Sequence, residues 1–421
     1  MNKTRRYRES VQLKPNYIDL FSGCGGLSLG LCNAGWQGIF AVEKSPQAFK
    51  TFKYNLIDKK SHFDWPDWLP QKSYDIIDLL NEYSGELLKL RNKVTLIAGG
   101  PPCQGFSIAG QRNESDSRNR LINSYVRFVS IVKPAFILFE NVKGFTMKFK
   151  SNNLKGKKYS EIVSESFKEE GYNVYGELVN FGDYGVPQKR TRFILVGIRR
   201  DIAESNKLDV SRFFTILKAN RFSFLEKKGL TSSPTVKEAL SDLLKGNNMV
   251  ETPDRKHFES GLYGYRKSLY QRYIRKNVKG TIPDSHSYAK HTDRIISRLE
   301  YIRSISTECK NLDKNIKEEL GITKQVLIPL QANEQAPTIT SNPDDLIHYS
   351  EPRILTVREY ARLQSFPDWY EFKGTYTTGG KFRKVEVPRY TQVGNAIPPL
   401  FAELAGITIK EVIVNGKDIR I

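Results

Sequence analysis

Residues 16–43 read NYIDLFSGCGGLSLGLCNAGWQGIFAVE, and that stretch leaves few ways to fold. NYIDLF is an apolar run of strand length, SGCGG is a turn, LSLGLCNAG has helix-compatible spacing, and GIFAVE (38–43) is a second strand. A strand, a glycine turn, a helix and a strand again make the unit from which parallel sheets with right-handed crossovers are built. The alternation continues. SPQAFKTFKYNL (45–56) puts a proline near the first helical position and spaces its apolar residues by three and four. VTLIAGG (94–100), AFILFENV (135–142) and FILVGIRR (193–200) read as further strands. The expected architecture is α/β, a doubly wound and mostly parallel sheet.

From about residue 200 to 350 the alternation gives way to charged, aromatic and irregular segments. The stretch LFAELAGITIKEVIV (400–414) reads as helical and then strand-like, and is placed to return to the first domain. A chain of 421 residues exceeds one typical domain. The expected division is a first domain of residues 1–230, rejoined by residues 386–421, with residues 231–385 as a smaller second domain and hinge. SPTVKEALSDL (233–243) reads as a helix at the start of that insert, and NEQAPTIT (333–340) falls near its far side.

A formal net charge of +20 points to a polyanionic partner, most simply nucleic acid. No apolar stretch approaches the length of a spanning helix, so no membrane is expected, and the basic start MNKTRRYRES is not followed by a signal-like apolar run. Cys24, Cys32, Cys103 and Cys309 are scattered without metal-type pairing. His286 and His291 are the closest histidine pair and are read as surface residues rather than ligands. Together these features predict a reduced intracellular protein with no disulfide framework and no bound metal.

Several stretches carry chemistry. In IDLFSGCGG a strand ends, glycines 23, 25 and 26 let the backbone approach a ligand, and a helix N-terminus follows, as in a nucleotide-site loop. Glu43 ends the second strand, where a carboxylate can accept hydrogen bonds from ribose hydroxyls; spacing alone equally allows an ordinary helix-start acid. In LIAGGPPCQGFSIAG (96–110) two prolines and several glycines hold Cys103 in a loop built to one shape. FENVKGF (139–145) sets Glu140 and Asn141 at another strand end, and QKRTRF (188–193) offers Arg190 and Arg192 two residues apart, on one face of an extended chain.

Taken together, these stretches resemble the DNA (cytosine-5) methyltransferase family, in its prokaryotic restriction–modification form. IDLFSGCGG is similar to the family's first motif, GGPPCQGFS to its nucleophile loop, FENV to its glutamate motif and QKRTR to its arginine motif. RILTVREYARLQSFPDWY (353–370) resembles the motif that supports the recognition region, and QVGNAIPPL (392–400) the last motif, which folds back onto the cofactor domain. The matches follow the family's order. One departure is Asn119 after Arg118, where the family often has glycine.

The resemblance implies a site-specific enzyme that moves a methyl group from S-adenosyl-L-methionine to C5 of a flipped-out cytosine in duplex DNA, leaving S-adenosyl-L-homocysteine. It implies Cys103 as the nucleophile at C6, Glu140 as the partner of N3 and the exocyclic amine, Arg192 at the O2 edge and Arg190 as a loop holder. Asp19, Phe21, Gly23, Cys24, Gly25, Gly26, Glu43, Lys44, Asp75, Ile76, Gly100, Pro102, Leu121, Asn395 and Ala396 are the expected cofactor residues. Asp75 is chosen for the adenine, with Asp78 close behind. Cys32 and Cys309 have no expected role. Gln104 and Ser107 in the nucleophile loop are expected to touch DNA. So are Arg266, Lys267, Arg272, Arg275 and Lys276, within YGYRKSLYQRYIRKNVKG (263–280), a stretch of six Lys/Arg, four Tyr and no acid. That stretch reads equally as a solvated amphipathic helix with its tyrosines in the core of the small domain. A monomeric cytoplasmic enzyme of a prokaryote or phage, genetically paired with a cognate restriction endonuclease, completes the expectation.

Other readings stay open on the sequence. Transfer RNA methylation uses the same scaffold, although the long basic insert and QGFS after Cys103 favour duplex DNA. A non-catalytic DNA-binding scaffold is disfavoured by intact Cys103, Glu140 and Arg192. A cysteine hydrolase would want a histidine base, and no histidine lies in the motif stretches.

Overall fold

In the computed structural model, which describes residues 15–102, 119–148, 156, 158–246, 248–378 and 386–414, a six-stranded sheet organises the chain. Its strands are β1 (Asn16–Leu20), β2 (Gln37–Val42), β3 (Leu96–Gly99), β4 (Phe136–Val142), β5 (Tyr172–Asn180) and β7 (Thr191–Arg199); the two-residue β6 (Gln188–Lys189) lies outside the sheet. The spatial order is β2-β1-β3-β4-β7-β5. β1 to β4 are mutually parallel, as expected, whereas β7 runs antiparallel to both β4 and β5. Between β5 and β7 the chain has only a 3-10 turn at Phe181–Tyr184 and β6, too short for the crossover that parallel pairing needs. β5 escaped the sequence reading because, as an edge strand, it is mostly half-buried or exposed, with only Tyr172 and Val179 buried, and forms no apolar run.

Helices α1 (Gly26–Asn33) and α2 (Pro46–Phe52) follow β1 and β2, α2 being extended by a π-helical turn over Lys53–Asp58. α3 (Ile76–Glu82) and α4 (Ser84–Lys89) precede β3, α5 (Asn119–Val132) leads into β4, and α6 (Tyr159–Glu169) into β5. After β7 come α7 (Arg200–Ser205), α8 (Arg212–Lys227), α9 (Val236–Leu240), α10 (Leu269–Ile274), α11 (Asp293–Ile305), α12 (Lys314–Glu319), α13 (Val357–Leu363), α14 (Arg389–Asn395) and α15 (Pro399–Val414).

Alternate strand residues feed two cores, one on each face of the sheet. Ile18, Leu20, Ile97, Ile137 and Phe139 pack under α3, α5 and α6. Tyr17, Leu96, Ala98, Phe136 and Leu138 pack on the other face with α1 and α15. That second core runs on without a break into Leu240, Tyr270, Ile274 and Tyr360. Each fully buried side chain of this size contributes roughly 1.5–3 kcal/mol relative to exposure.

α15 is helical to its end at Val414, which corrects the expectation of a strand over its last residues. Its β-branched residues favour a strand intrinsically, but packing against α1 overrides that preference. Trp36 Nε1 donates to the Gly406 carbonyl at 3.0 Å, and Lys410 Nζ to the Ala34 carbonyl at 2.7 Å. His286 is also not where it was expected. It is fully buried, with Nδ1 2.8 Å from Thr356 Oγ1 and Nε2 3.0 Å from the Leu243 carbonyl.

The segment 353–370 is held by buried charge. Arg353 pairs bidentately with Glu359 at 2.8 and 2.7 Å, Arg358 pairs with Asp284 at 2.8 Å, and Arg362 pairs with Asp368 at 2.7 Å and with Asp242. Arg358 and Arg362 are fully buried. Such pairs offset desolvation only with good geometry, and removal of one partner is strongly destabilising. Asp242 and Asp284 lie more than 70 residues before α13, so the pairs fasten distant segments of the chain to it.

Candidate active site

The strand order places a topological switch point between β1 and β3: β1 leads to β2 on one side and neighbours β3 on the other. Crevices beyond the carboxyl ends of strands at such points are where open α/β sheets bind ligands. The loop after β1, the Glu43 turn after β2, the GGPP turn after β3 and Glu140 near the end of β4 all lie on that edge.

The first loop is shaped for close approach. Phe21 has φ +59°, an unusual conformation for a bulky residue and one that clusters at functional sites. Gly25 has φ +94°, and a Cβ there would stand 2.7 Å from Tyr370 Oη. Gly25 is also the N-cap of α1 and provides no side-chain cap, so the first amides of α1 are left to other partners. Asp19 is fully buried and accepts a 2.5 Å hydrogen bond from Ser28 Oγ. Burial pushes its pKa up to about 7 against the lowering effect of Ser28, and nearby Glu43 adds to the rise. Asp19 Oδ1 and Ser22 Oγ are buried without a hydrogen-bond partner among the described residues.

Glu43 binds this loop to α2. One oxygen accepts from the Gly23 amide at 2.9 Å, the other from the Ser45 amide at 2.7 Å. Burial raises its pKa, and these amides oppose the rise. The Tyr74 amide donates to the Glu43 carbonyl at 2.8 Å and brings Asp75 alongside. Asp75 caps α3 through the Ile77 amide at 2.8 Å and pairs with exposed Lys44 at 2.8 Å. Ile76 is buried beneath. From the far end of the chain, the Ile397 carbonyl and the Ala396 methyl press on Gly26, while Asn395 is exposed. Cys24 is buried: its thiol donates to the Gln392 carbonyl at 3.4 Å, its carbonyl accepts from Tyr370, and burial holds its pKa far above the ordinary thiol value. That environment makes it a packing residue beneath the loop.

Across the crevice, Arg192 Nε lies 3.1 Å from Glu140 Oε1, and both side chains are largely buried. β7 running antiparallel to β4 makes this possible, since Val142 is opposite Arg192 in the register and Glu140 opposite Ile194. Burial raises the pKa of Glu140, while Arg192 and then Arg190 pull it back. A desolvated carboxyl group beside a guanidinium can hydrogen-bond an amine and a ring nitrogen while charge shifts between them. Arg190 faces elsewhere. Its Nη2 donates to the Gly394 carbonyl at 3.0 Å and its Nη1 to the Ile339 carbonyl at 3.5 Å, tying the start of β7 to α14.

Cys103, Gln104 and Ser107 lie outside the described residues. Pro102, exposed at the mouth of the crevice, precedes Cys103 directly, and Asn141 Nδ2 reaches the Pro101 carbonyl at 3.5 Å. Leu121 is half-buried at the start of α5. The structure therefore brings together the loop residues, Glu43, Lys44, Asp75, Ile76, Gly100, Pro102, Glu140, Arg192 and Ala396 on one edge of the sheet.

The basic stretch divides. Arg266, Lys267, Arg272 and Lys276 are exposed around α10, whereas Tyr270 and Ile274 are core residues. Arg275 departs from the expected surface role. It pairs with buried Asp242 at 2.9 Å, donates to the Gly264 carbonyl at 2.8 Å and stacks over Tyr263. Sequence reasoning missed Ser28 and Gln188. Gln188 is fully buried, donating to the Leu363 carbonyl and Gln364 Oε1 at 3.0 Å each and accepting from the Ile339 amide at 3.0 Å. Its place in QKRTR was the available signal.

Residues 16–411 match the model of the C-5 cytosine-specific DNA methylases. The chain belongs to the C-5 cytosine-specific DNA methylase family. The Type II methyltransferase M.DdeI of Desulfomicrobium norvegicum is 31% identical over 398 residues, covering 92% of this chain and 86% of that protein. M.XorII of Xanthomonas oryzae pv. oryzae is 30% identical over 411 residues, covering 93% of this chain and 84% of the relative. Among solved structures, a protein described as a DNA modification methyltransferase encoded within a prophage (E. coli) superimposes with a TM-score of 0.63 at 26% identity, over 95% of this chain and 100% of that one. The activity of this methylase is DNA cytosine-5 methylation. Among the described residues no group of His, Cys, Asp and Glu is arranged to hold a metal ion, and no helix is long and apolar enough to cross a membrane.

Proposed function

We propose that this methylase transfers a methyl group from S-adenosyl-L-methionine to C5 of a cytosine flipped out of duplex DNA, with Cys103 bonded transiently to C6. The observation that carries the reading is the Glu140–Arg192 pair, buried beside the loop crevice, with Glu140 against Gly100 and its neighbour Asn141 reaching the Pro101 carbonyl in the turn that leads to Cys103.

The crevice suits a nucleoside that carries an amino acid. Glu43 would accept from ribose hydroxyls and Asp75 from the base, the uncapped start of α1 offers amides, and the unpartnered Asp19 Oδ1 and Ser22 Oγ point to a missing polar neighbour. When bound, S-adenosyl-L-methionine supplies an electrophilic sulfonium methyl and leaves as S-adenosyl-L-homocysteine. The protein must make cytosine C5 a nucleophile. Addition of the Cys103 thiolate to C6 does so, and covalent catalysis divides one hard step into easier ones. Glu140 holds N3 and the exocyclic amine so that N3 takes a proton as sulfur adds. Arg192 steadies the O2 edge while it keeps Glu140 in place. Carbon 5 would then take the methyl as the methyl–sulfur bond breaks; loss of the C5 proton to water, expulsion of the thiolate and return of the N3 proton to Glu140 restore the ring. The target base would leave the helix at a cost of a few kcal/mol.

We read residues 231–385 as the recognition domain and hinge, with residues 1–230 and 386–421 forming the catalytic domain. The exposed lysines and arginines around α10 would then grip the phosphate backbone. By kinship with Type II methyltransferases, the enzyme is read as a cytoplasmic monomer that protects host DNA against a cognate restriction endonuclease.

Expression in a host without cytosine methylation, followed by bisulfite sequencing, tests the reading. Protected cytosines in one short recurring sequence are expected, and Cys103→Ser should abolish protection while leaving S-adenosyl-L-homocysteine binding intact. Full protection by Cys103→Ser would overturn the covalent mechanism, and an unprotected genome would overturn the duplex substrate.

A further inference from the structure

The helix that follows Glu43 carries a polar seam that methyl transfer itself does not require. Thr51 and Asn55 are both fully buried. Both are weak helix formers, and burying their polar groups costs stability unless every group is paired. Here each is paired, and to the same segment of the insert. Gln47 Oε1 accepts from the amide and the hydroxyl of Thr375 at 3.1 Å each. Thr51 Oγ1 accepts from the Lys373 amide at 2.9 Å and donates to Gln392 Oε1 at 2.7 Å. Asn55 Oδ1 accepts from the Glu371 amide at 3.0 Å, and its Nδ2 donates to the Glu371 carbonyl at 2.7 Å.

The spacing explains the match. Positions 47, 51 and 55 are four apart and recur about every 6 Å along a helix. Positions 371, 373 and 375 are alternate residues, which recur at roughly 6.6 Å when a chain is extended. Side chains of the helix thus stand in for a neighbouring strand. Asn55 sits in the π-helical turn, a distortion frequent at functional positions. Gly374 completes the fit, since a Cβ there would meet Gln47 Oε1 at 2.6 Å.

The same segment is gripped from its other side by the recognition region. The Phe372 amide donates to Asp284 Oδ2 at 3.1 Å, and that carboxylate also pairs with Arg358. Arg389 Nε donates to the Gly374 carbonyl at 2.9 Å, while its Nη1 reaches Ser285 Oγ at 2.9 Å and Asp254 at 2.5 Å. A continuous chain of contacts therefore joins Gly23 and Glu43 in the crevice, through Ser45 and α2, to Asp254 and Asp284 in the insert.

We propose that Thr51 and Asn55 are positioning residues that couple the cofactor crevice to the recognition region, so that a ligand in the crevice and DNA each tighten the binding of the other. The inference rests on the reading given under Proposed function. Neither side chain touches a reacting atom. They set the register between α2, which begins at the Glu43 turn, and the segment on which Arg389 and Asp284 close. Linkage makes such coupling reciprocal, and a contiguous packed network with paired buried groups is a physical route for it.

The test measures the affinity of the full-length enzyme for a duplex containing its methylated site sequence, with and without saturating S-adenosyl-L-homocysteine. The ratio of the two affinities, about 5- to 150-fold for typical linked sites, is the coupling. Thr51→Val and Asn55→Leu keep shape and remove hydrogen bonds. Each should lower the coupling by about threefold or more, with S-adenosyl-L-homocysteine affinity in the absence of DNA little changed. Thr51→Ser, which keeps the hydroxyl, should restore it. A merely structural role would lower the melting temperature and leave the ratio alone. Where either buried variant does not fold, Gln47→Met reads the seam from its half-buried end. Unchanged coupling in the folded variants overturns the proposal, as does a wild-type ratio of one. A wild-type enzyme that neither binds S-adenosyl-L-homocysteine nor methylates DNA would overturn the functional reading, and this inference with it.

Discussion

Gly100 and Glu140 are so close that a Cβ on the first would stand 2.7 Å from Oε2 of the second. The strand end after β3 and the strand end of β4 thus meet with no room for a side chain, and Oε2 of the carboxyl group lies against Gly100 while Oε1 meets Arg192 Nε at 3.1 Å.

Gly100→Ala should therefore injure catalysis more than folding. The methyl would push Glu140 off its line to the base, and a misplacement of about 1 Å at a reacting site costs on the order of 100-fold in rate. Turnover should fall by one to two orders of magnitude, with little change in melting temperature. Transfer of labelled methyl groups to DNA, alongside thermal unfolding, would check it. Undiminished turnover would mean that Glu140 has freedom the geometry denies it.

Asp19 predicts a pH dependence of stability. Its pKa is about 7 when folded, against an ordinary value of 3.8 in the unfolded chain. A raised value means that the native state binds the proton more tightly. The stabilising contribution is complete below about pH 3.8 and is lost as pH rises through about 7. Asn at this position cannot ionise. The difference in unfolding free energy between Asp19→Asn and wild type should shift in favour of the variant by a few kcal/mol, as an order of magnitude, between pH 4 and pH 8. Denaturant melts across that range would reveal it, and a difference flat with pH would refute it.

Arg272 and Arg275, three residues apart, should behave as different kinds of residue. Arg272 is exposed, so Arg272→Ala should leave stability within about 0.5 kcal/mol and lower the slope of log K against log salt for DNA binding by about 0.9 if it meets one phosphate. Arg275→Ala removes a partner of buried Asp242 and should cost about 1.5–3 kcal/mol of stability. Titrations at several salt concentrations and urea melts separate the two. The reverse assignment would show that Arg275 leaves Asp242 to meet DNA.

What the sequence revealed follows a physical rule. The β1 loop, Glu43 and Glu140 stood out because apolar strands lead into polar or glycine-rich ends, and Arg192 because the apolar run of β7 begins beside it. α15 was misread because its β-branched residues favour strand locally while its partner, α1, lies far away in sequence. The charge pairs of α13 were illegible for a related reason. Arginine is normally a surface residue, and nothing in RILTVREYARLQSF announces that Arg358 and Arg362 will find carboxylates at Asp284 and Asp242. The Thr51–Asn55 seam leaves no apolar period at all, so only the folded chain shows what it meets.

The pairing of α1 with α15 bears on how the protein comes into being. Trp36 reaches Gly406 and Lys410 reaches Ala34, contacts that span 370 and 376 residues of chain. While the polypeptide is still being translated, the apolar flank of α1 waits for a helix the ribosome has not made, and the first loop lacks the segment that closes on Gly26. Contacts so distant in sequence make for slow folding and a long interval of exposed surface. An unfinished chain would thus carry the residues of the crevice well before it had the crevice, and competence would arrive late and at once.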